Sequence, residues 1–65
     1  MDSMKIGKKL RELRGSRTMI EVAKACGITQ GAVSNYENGT RVPSDDIKQK
    51  LARYFGLSID ELFFS

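Results

Sequence analysis

Thr29-Gln30-Gly31-Ala32-Val33-Ser34-Asn35-Tyr36-Glu37-Asn38-Gly39 is the stretch whose reading decides the fold. Thr29 is a good N-cap, because its hydroxyl accepts from the unpaired amides of a first helical turn. Gly39 is placed to end the helix in a left-handed conformation after Asn38. The spacing therefore predicts a helix of about three turns over residues 29–38. Val33 and Tyr36, with Ala32 beside them, make one narrow inward stripe. The opposite face carries Gln30, Gly31, Ser34 and Asn35 and no charge, although Lys, Arg and Glu fill the exposed faces elsewhere. Gln and Asn amides donate and accept at once, as the edge of an adenine base requires, and small neighbours allow close approach. Taken alone, the stretch suits a merely solvated polar helix equally well.

The residues upstream decide between these. Thr18-Met19-Ile20-Glu21 is a capping box, in which Thr18 covers the N3 amide and Glu21 reaches back. A helix then starts at Met19 and runs to about Ala25 or Cys26, with Val22, Ala23 and Cys26 inward. The next helix begins two residues later, so Gly27-Ile28 is a very tight connection and the helices cross steeply. Such a crossing needs a small residue at the contact, Ala23, and one free to take positive φ, Gly27. Ala23, Gly27, Ile28, Val33 and Tyr36 are the skeleton of a helix-turn-helix over about residues 19–38.

The run from Glu21-Val22-Ala23-Lys24-Ala25-Cys26-Gly27-Ile28 through residues 29–39 resembles the lambda-repressor-like, or Xre/Cro, helix-turn-helix family. Arg41-Val42-Pro43-Ser44 and Ser58-Ile59-Asp60-Glu61-Leu62-Phe63 extend the resemblance over nearly the whole chain. It implies that the motif's second helix enters a DNA major groove. Gln30, Gly31, Ser34 and Asn35 then lie at base-reading positions, and Thr29, Asn38, Thr40 and Arg41 near phosphates. The same resemblance suggests Arg14 as the partner of Glu37, whose unpaired carboxylate would repel DNA. Two positions depart from the family. Met19 stands where a phosphate-binding Gln is common, and Gly31 where a larger polar side chain is common, so weaker discrimination or more reliance on DNA shape is expected.

The remaining segments are helical. Ser3 or Asp2 caps a first helix over about residues 4–14, with Ile6, Leu10 and Leu13 on one face and Gly7 marking close packing or tolerance; Gly15-Ser16 ends it. Ser44 caps a fourth helix over about residues 45–55, with Asp45 and Asp46 suiting its dipole and Ile47, Leu51, Tyr54 and Phe55 on one face. Gly56 stops it. Ser58 and Glu61 form a second capping box for a last short helix ending near Phe63. The fold expected is all-α: a compact five-helix, lambda-repressor-like DNA-binding domain with a central helix-turn-helix, one domain over residues 1–65.

Sixty-five residues lie near the lower limit at which a core supports itself. The single cysteine excludes an internal disulfide, and with no histidine there is no usual zinc site. Cys26, at an apolar helix position with no histidine to activate it, reads as core filler. No signal sequence or membrane span is visible, so a cytoplasmic, nucleoid-associated location is expected, with no cofactor and no metal. Net charge is +3; residues 1–31 carry seven basic and three acidic side chains and residues 32–65 four and five. That bias suits a polyanion partner, as it suits many ordinary surfaces.

These readings converge on a sequence-specific double-stranded DNA-binding transcriptional regulator, a repressor acting on a palindromic operator, and not an enzyme. One recognition helix touches few base pairs, which favours a homodimer on two half-sites. Phe63 and Phe64, with Leu62, are candidate dimer contacts, unless one ring is simply exposed. The competing reading is a protein-interaction module that binds a toxin or anti-repressor through Met19, Ile20 and Phe64.

Overall fold

The computed structural model describes residues 2–64. They form five helices, α1 (Ser3–Arg14), α2 (Met19–Cys26), α3 (Gln30–Glu37), α4 (Asp45–Phe55) and α5 (Asp60–Phe64), the last wound as a single π-type turn, with no strand among the described residues. α3 packs on α1 and α2, α4 packs on α2, and α5 closes against α1. No helix among the described residues is long and apolar enough to cross a membrane.

The N-cap of α1 is Asp2, whose carboxylate accepts from the Met4 and Lys5 amides at 3.0 and 3.3 Å. Ser3 is thereby released into the helix. Ile6 and Leu10 are buried and Leu13 packs partly buried against them. Gly7 belongs to a second face of α1, and its role is steric. A Cβ there would lie 2.6 Å from the Tyr36 carbonyl oxygen and 2.8 Å from the Glu37 carbonyl carbon. Only a residue without a side chain lets the α1 backbone rest on the C-terminal end of α3.

The turn between α2 and α3 is a Schellman motif. Gly27 takes φ 67° and ψ 33°, its amide donates to the Lys24 carbonyl and the Ile28 amide to the Ala23 carbonyl. At the start of α2 the Thr18 hydroxyl accepts from the Glu21 amide at 3.1 Å. The returning Glu21 bond expected of a full capping box is not made among the described residues. Val22, Ala23 and Cys26 fill the core, and burial raises the Cys26 thiol above its ordinary value, with Lys50 opposing weakly. Cys26 is therefore held as a neutral, packed thiol.

Ser44 sits at the N-cap of α4 with extended backbone but makes no side-chain cap bond. Leu51 and Ala52 are the deep residues of α4, with Ile47, Tyr54 and Phe55 partly buried around them. Lys48 is also buried, its ammonium 5.7 and 5.5 Å from the Phe63 and Phe64 ring centroids and 3.7 Å from Asp45. The capping box of α5 forms in both directions, the Ser58 amide donating to Glu61 Oε1 at 2.9 Å and the Glu61 amide to Ser58 Oγ at 3.0 Å. Lys9 donates to the Glu61 carbonyl and ties α5 to α1.

Two expected dimer contacts are corrected by this packing. Leu62 and Phe63 are 1% and 6% exposed and belong to the core. α5 is turned against α1, which brings both residues into one cluster of buried side chains with Ile6, Leu10 and Leu51. Phe64 remains 61% exposed. Met19, expected on a sticky surface with Ile20, is likewise half-buried against the core, whereas Ile20 is exposed.

Gly7→Ala is expected to destabilise the fold by about 1–3 kcal/mol through overpacking, despite the better helix propensity of Ala. Urea denaturation measures it, and a stabilised variant would mean that α1 and α3 do not meet here. Glu61 gives a pH-dependent expectation. Its carboxyl is held below the ordinary carboxylate value by hydrogen bonds from the Ser58 amide and hydroxyl, with Lys9 adding a smaller pull. A lowered folded value stabilises above the unfolded pKa and is lost as pH falls through the folded one. Glu61→Gln should thus lower stability at neutral pH and leave it unchanged at acid pH where Glu61 is already protonated, as read by thermal melts at both.

Candidate nucleic-acid interface

α3 begins at the Thr29 cap, whose hydroxyl accepts from the Ala32 amide at 3.0 Å, and ends at Asn38. Its inward stripe is Val33, Tyr36 and Glu37; Ala32 is only half-buried. On the other side Gln30 and Gly31 are exposed and Ser34 and Asn35 half-buried. The Gln30 amide has no hydrogen bond among the described residues, so both its donor and its acceptor are available. A Cβ at Gly31 would meet only the Thr29 hydroxyl at 3.8 Å. Packing does not require glycine there, although glycine costs a helix about 1 kcal/mol relative to Ala.

The four residues expected near phosphates have different surroundings. Thr29 is held by its cap. Asn38 accepts from Arg11 Nη2 at 2.9 Å and donates to Ser34 Oγ at 3.3 Å. Thr40 donates its hydroxyl to the Asn35 carbonyl at 3.1 Å and approaches Asn35 Oδ1 at 3.3 Å, while its amide donates to the same carbonyl. This second Schellman turn, with Gly39 at φ 76°, leaves the Asn35 amide nitrogen unbonded among the described residues. Arg41 is exposed, and its side chain has no hydrogen bond or ion pair among the described residues.

Below this surface lies the pair that orients α3. The Arg14 guanidinium grips Glu37 with two hydrogen bonds, Nε to Oε2 at 2.7 Å and Nη2 to Oε1 at 3.1 Å, and its third nitrogen donates to the Arg17 carbonyl. Side-chain exposures are 19% for Arg14 and 2% for Glu37. The hydrogen bond to Glu37 raises the Arg14 pKa above its already high ordinary value, so the cation is permanent. Glu37 therefore faces inward and is absent from the outer surface of α3.

Arg11 is the residue that sequence reasoning passed over. It bonds Asn38 and stands 3.6 Å from Glu37. The signal was present in the spacing. Gly7, Arg11 and Arg14 fall at i, i+4 and i+7, a second stripe on α1 beside the apolar one, and all three meet the end of α3. Two cations at that end also suit the negative pole of the helix dipole.

Arg14→Ala leaves a buried carboxylate with only Arg11 nearby and is expected to cost about 3 kcal/mol. The double variant Arg14→Leu/Glu37→Leu should recover most of that loss, since removing both charges removes the burial penalty. Chemical denaturation of the set decides it; a loss below about 1 kcal/mol for Arg14→Ala would make the pair a bystander.

The helix-turn-helix family model matches residues 8–62. A curated relative, the cryptic phage CTXphi transcriptional repressor RstR of Vibrio cholerae, is 38% identical over 56 residues, which cover 83% of this chain and 50% of that protein. The chain thus spans about half the length of the curated relative it matches. No solved structure matches it at comparable significance. With a five-helix architecture, a Schellman turn at Gly27 and a family match over most of the sequence, the chain belongs to the lambda-repressor-like, Xre-type helix-turn-helix family of DNA-binding domains.

Proposed function

We propose that the chain is a sequence-specific double-stranded DNA-binding repressor of transcription that places α3 in the major groove of its operator. The observation that carries this reading is the division of α3 into two faces. Glu37 and Val33 lock its inner side. Its outer side presents an unbonded Gln30, a dispensable glycine at 31 and half-exposed Ser34 and Asn35, without charge. Gln30 and the free amide nitrogen of Asn35 are the base-reading groups. Arg41 anchors phosphate from beyond the C-terminal end of α3, with Asn38 and Thr40 near it in the chain and Thr29 contributing at the other end of the helix. The phage relative is a transcriptional repressor, which supports repression here, by occlusion of a promoter.

Two copies on a palindromic operator supply the selectivity that one short helix lacks. With Leu62 and Phe63 in the core, the exposed aromatic left for a homodimer contact is Phe64.

Selection of bound sites from a random duplex pool at two salt concentrations tests this directly. An enriched inverted repeat with steep salt dependence is expected. Absence of any enrichment, with weak retention at low salt, would favour a protein partner docking on Ile20 and Phe64 instead. On the selected site, Gln30→Ala should relax discrimination at one position by about 1–3 kcal/mol, while Arg41→Ala should weaken all sequences alike and lower the salt slope by about 1. Equal effects of both variants on selected and random DNA would refute that division.

A further inference from the structure

Eleven Lys and Arg side chains divide into two sets. Lys9, Arg11, Arg14, Arg17 and Lys48 are occupied within the fold, by a carbonyl, by Asn38 and Glu37, by the Leu13 carbonyl and by an acid and aromatic rings. The side-chain cations of Lys5, Lys8, Lys24, Arg41, Lys50 and Arg53 have no hydrogen bond or ion pair among the described residues. Three of these six converge on one place. Lys24 at the end of α2, and Lys50 and Arg53 on one face of α4, line an open groove of about 430 Å3 together with Gly27 and Tyr54. No carboxylate and no residue of α3 lines it.

Helix dipoles account for part of this arrangement, since Lys24 and Arg53 stand in the last turns of their helices. They do not account for Lys50, nor for three cations gathered around one concavity with no acid to relieve their repulsion. The groove has the chemistry of an anion site, and its form narrows the ligand. It is wide open, so it does not enclose a small molecule. Tyr54 is a poor stacking platform for a base, because it is half-buried against the core, with the Arg17 guanidinium 5.4 Å from its ring centroid and the Phe55 ring packed on it in a T-shaped contact at 5.0 Å. What remains is charge along an open channel, which suits a run of phosphates.

We propose that the groove between α2 and α4, bearing Lys24, Lys50 and Arg53, binds the phosphate backbone of duplex DNA outside the segment read by α3. The proposal rests on the DNA-binding reading above and adds a second contact surface to it, on the α4 side of α2, whereas α3 packs on α1 and α2. The duplex engaged is either the flank of the same operator or a separate DNA segment, which share the same backbone chemistry.

The test is the variant Lys24→Gln/Lys50→Gln/Arg53→Gln, all three positions being exposed, with folding checked by circular dichroism. Binding to the selected sequence is measured against salt on a short duplex and on one with long flanks. Each phosphate contact contributes about 0.9 to the salt slope on duplex DNA, so the triple variant should lose roughly 2–3 from the slope while keeping its preference for selected over random sequence. Loss on the long duplex alone assigns the groove to flanking DNA. Loss only of co-association between two differently labelled duplexes assigns it to a second segment. An unchanged slope on every duplex together with unchanged co-association, with Arg41→Ala still lowering the slope, would overturn the groove and leave the α3 reading standing. An equal loss per charge in Lys5→Gln/Lys8→Gln would overturn it too, reducing the effect to general charge. A wild-type chain with no salt-dependent DNA binding would overturn both readings together.

Discussion

Glu37 stands at the C-terminal end of α3, where the helix dipole disfavours negative charge, and its side chain is 2% exposed. A carboxylate in that position is tolerable only with a fixed cation against it, and Arg14 provides one through a two-point grip that fixes direction as well as charge. The grip makes α1 and α3 one unit. Gly7 lets their backbones touch beside it, and Arg11 ties down Asn38 one residue further on. The orientation of α3 is thus set at its C-terminal end, leaving its first turn and outer side clear. An apolar contact would have supplied stability there but not a defined rotation of α3 about its own axis.

Much of this was legible from the residues, and the parts that were not have a common cause. Caps and turns are local chemistry, so Thr29, Gly27, Gly39 and the Ser58–Glu61 box could be placed from spacing alone, and α2 and α4 start and stop where their punctuation says. Leu62 and Phe63 could not be placed, because whether two adjacent apolar residues enter a core depends on what the other helices leave unfilled. Lys48 shows the same limit. Its charge marks it as surface, yet it lies along the aromatic rings of α5 with its head near Asp45, as long cationic stems can. For the interface, the residue types on α3 were readable, but the bonds holding Asn35, Asn38 and Thr40 to their neighbours belong to the turn after it and needed coordinates. The expected return bond from Glu21 illustrates the converse, since a capping-box pattern is satisfied here by its Thr18 half.

Charge shows a related gap between chain order and space. Counted along the sequence, the basic excess lies before residue 32. Counted after folding, several of those early cations are committed to carbonyls, Glu37 and Asn38, whereas Lys50 and Arg53 from the nominally acidic half are left free. Net charge therefore describes the encounter with a polyanion at long range, and the contacts made at close range depend on which cations the fold has not already used.

The glycine at position 31 separates two kinds of requirement on α3. Nothing in the fold occupies the space beside it, and Gln30 next to it supports no neighbour, while Val33, Glu37 and Asn38 hold the helix in place from other faces. Replacing these two outward residues alters the surface of the helix without disturbing what carries it. Positions 30 and 31 can therefore vary without compensating changes in the core, because no packing neighbour registers what stands there.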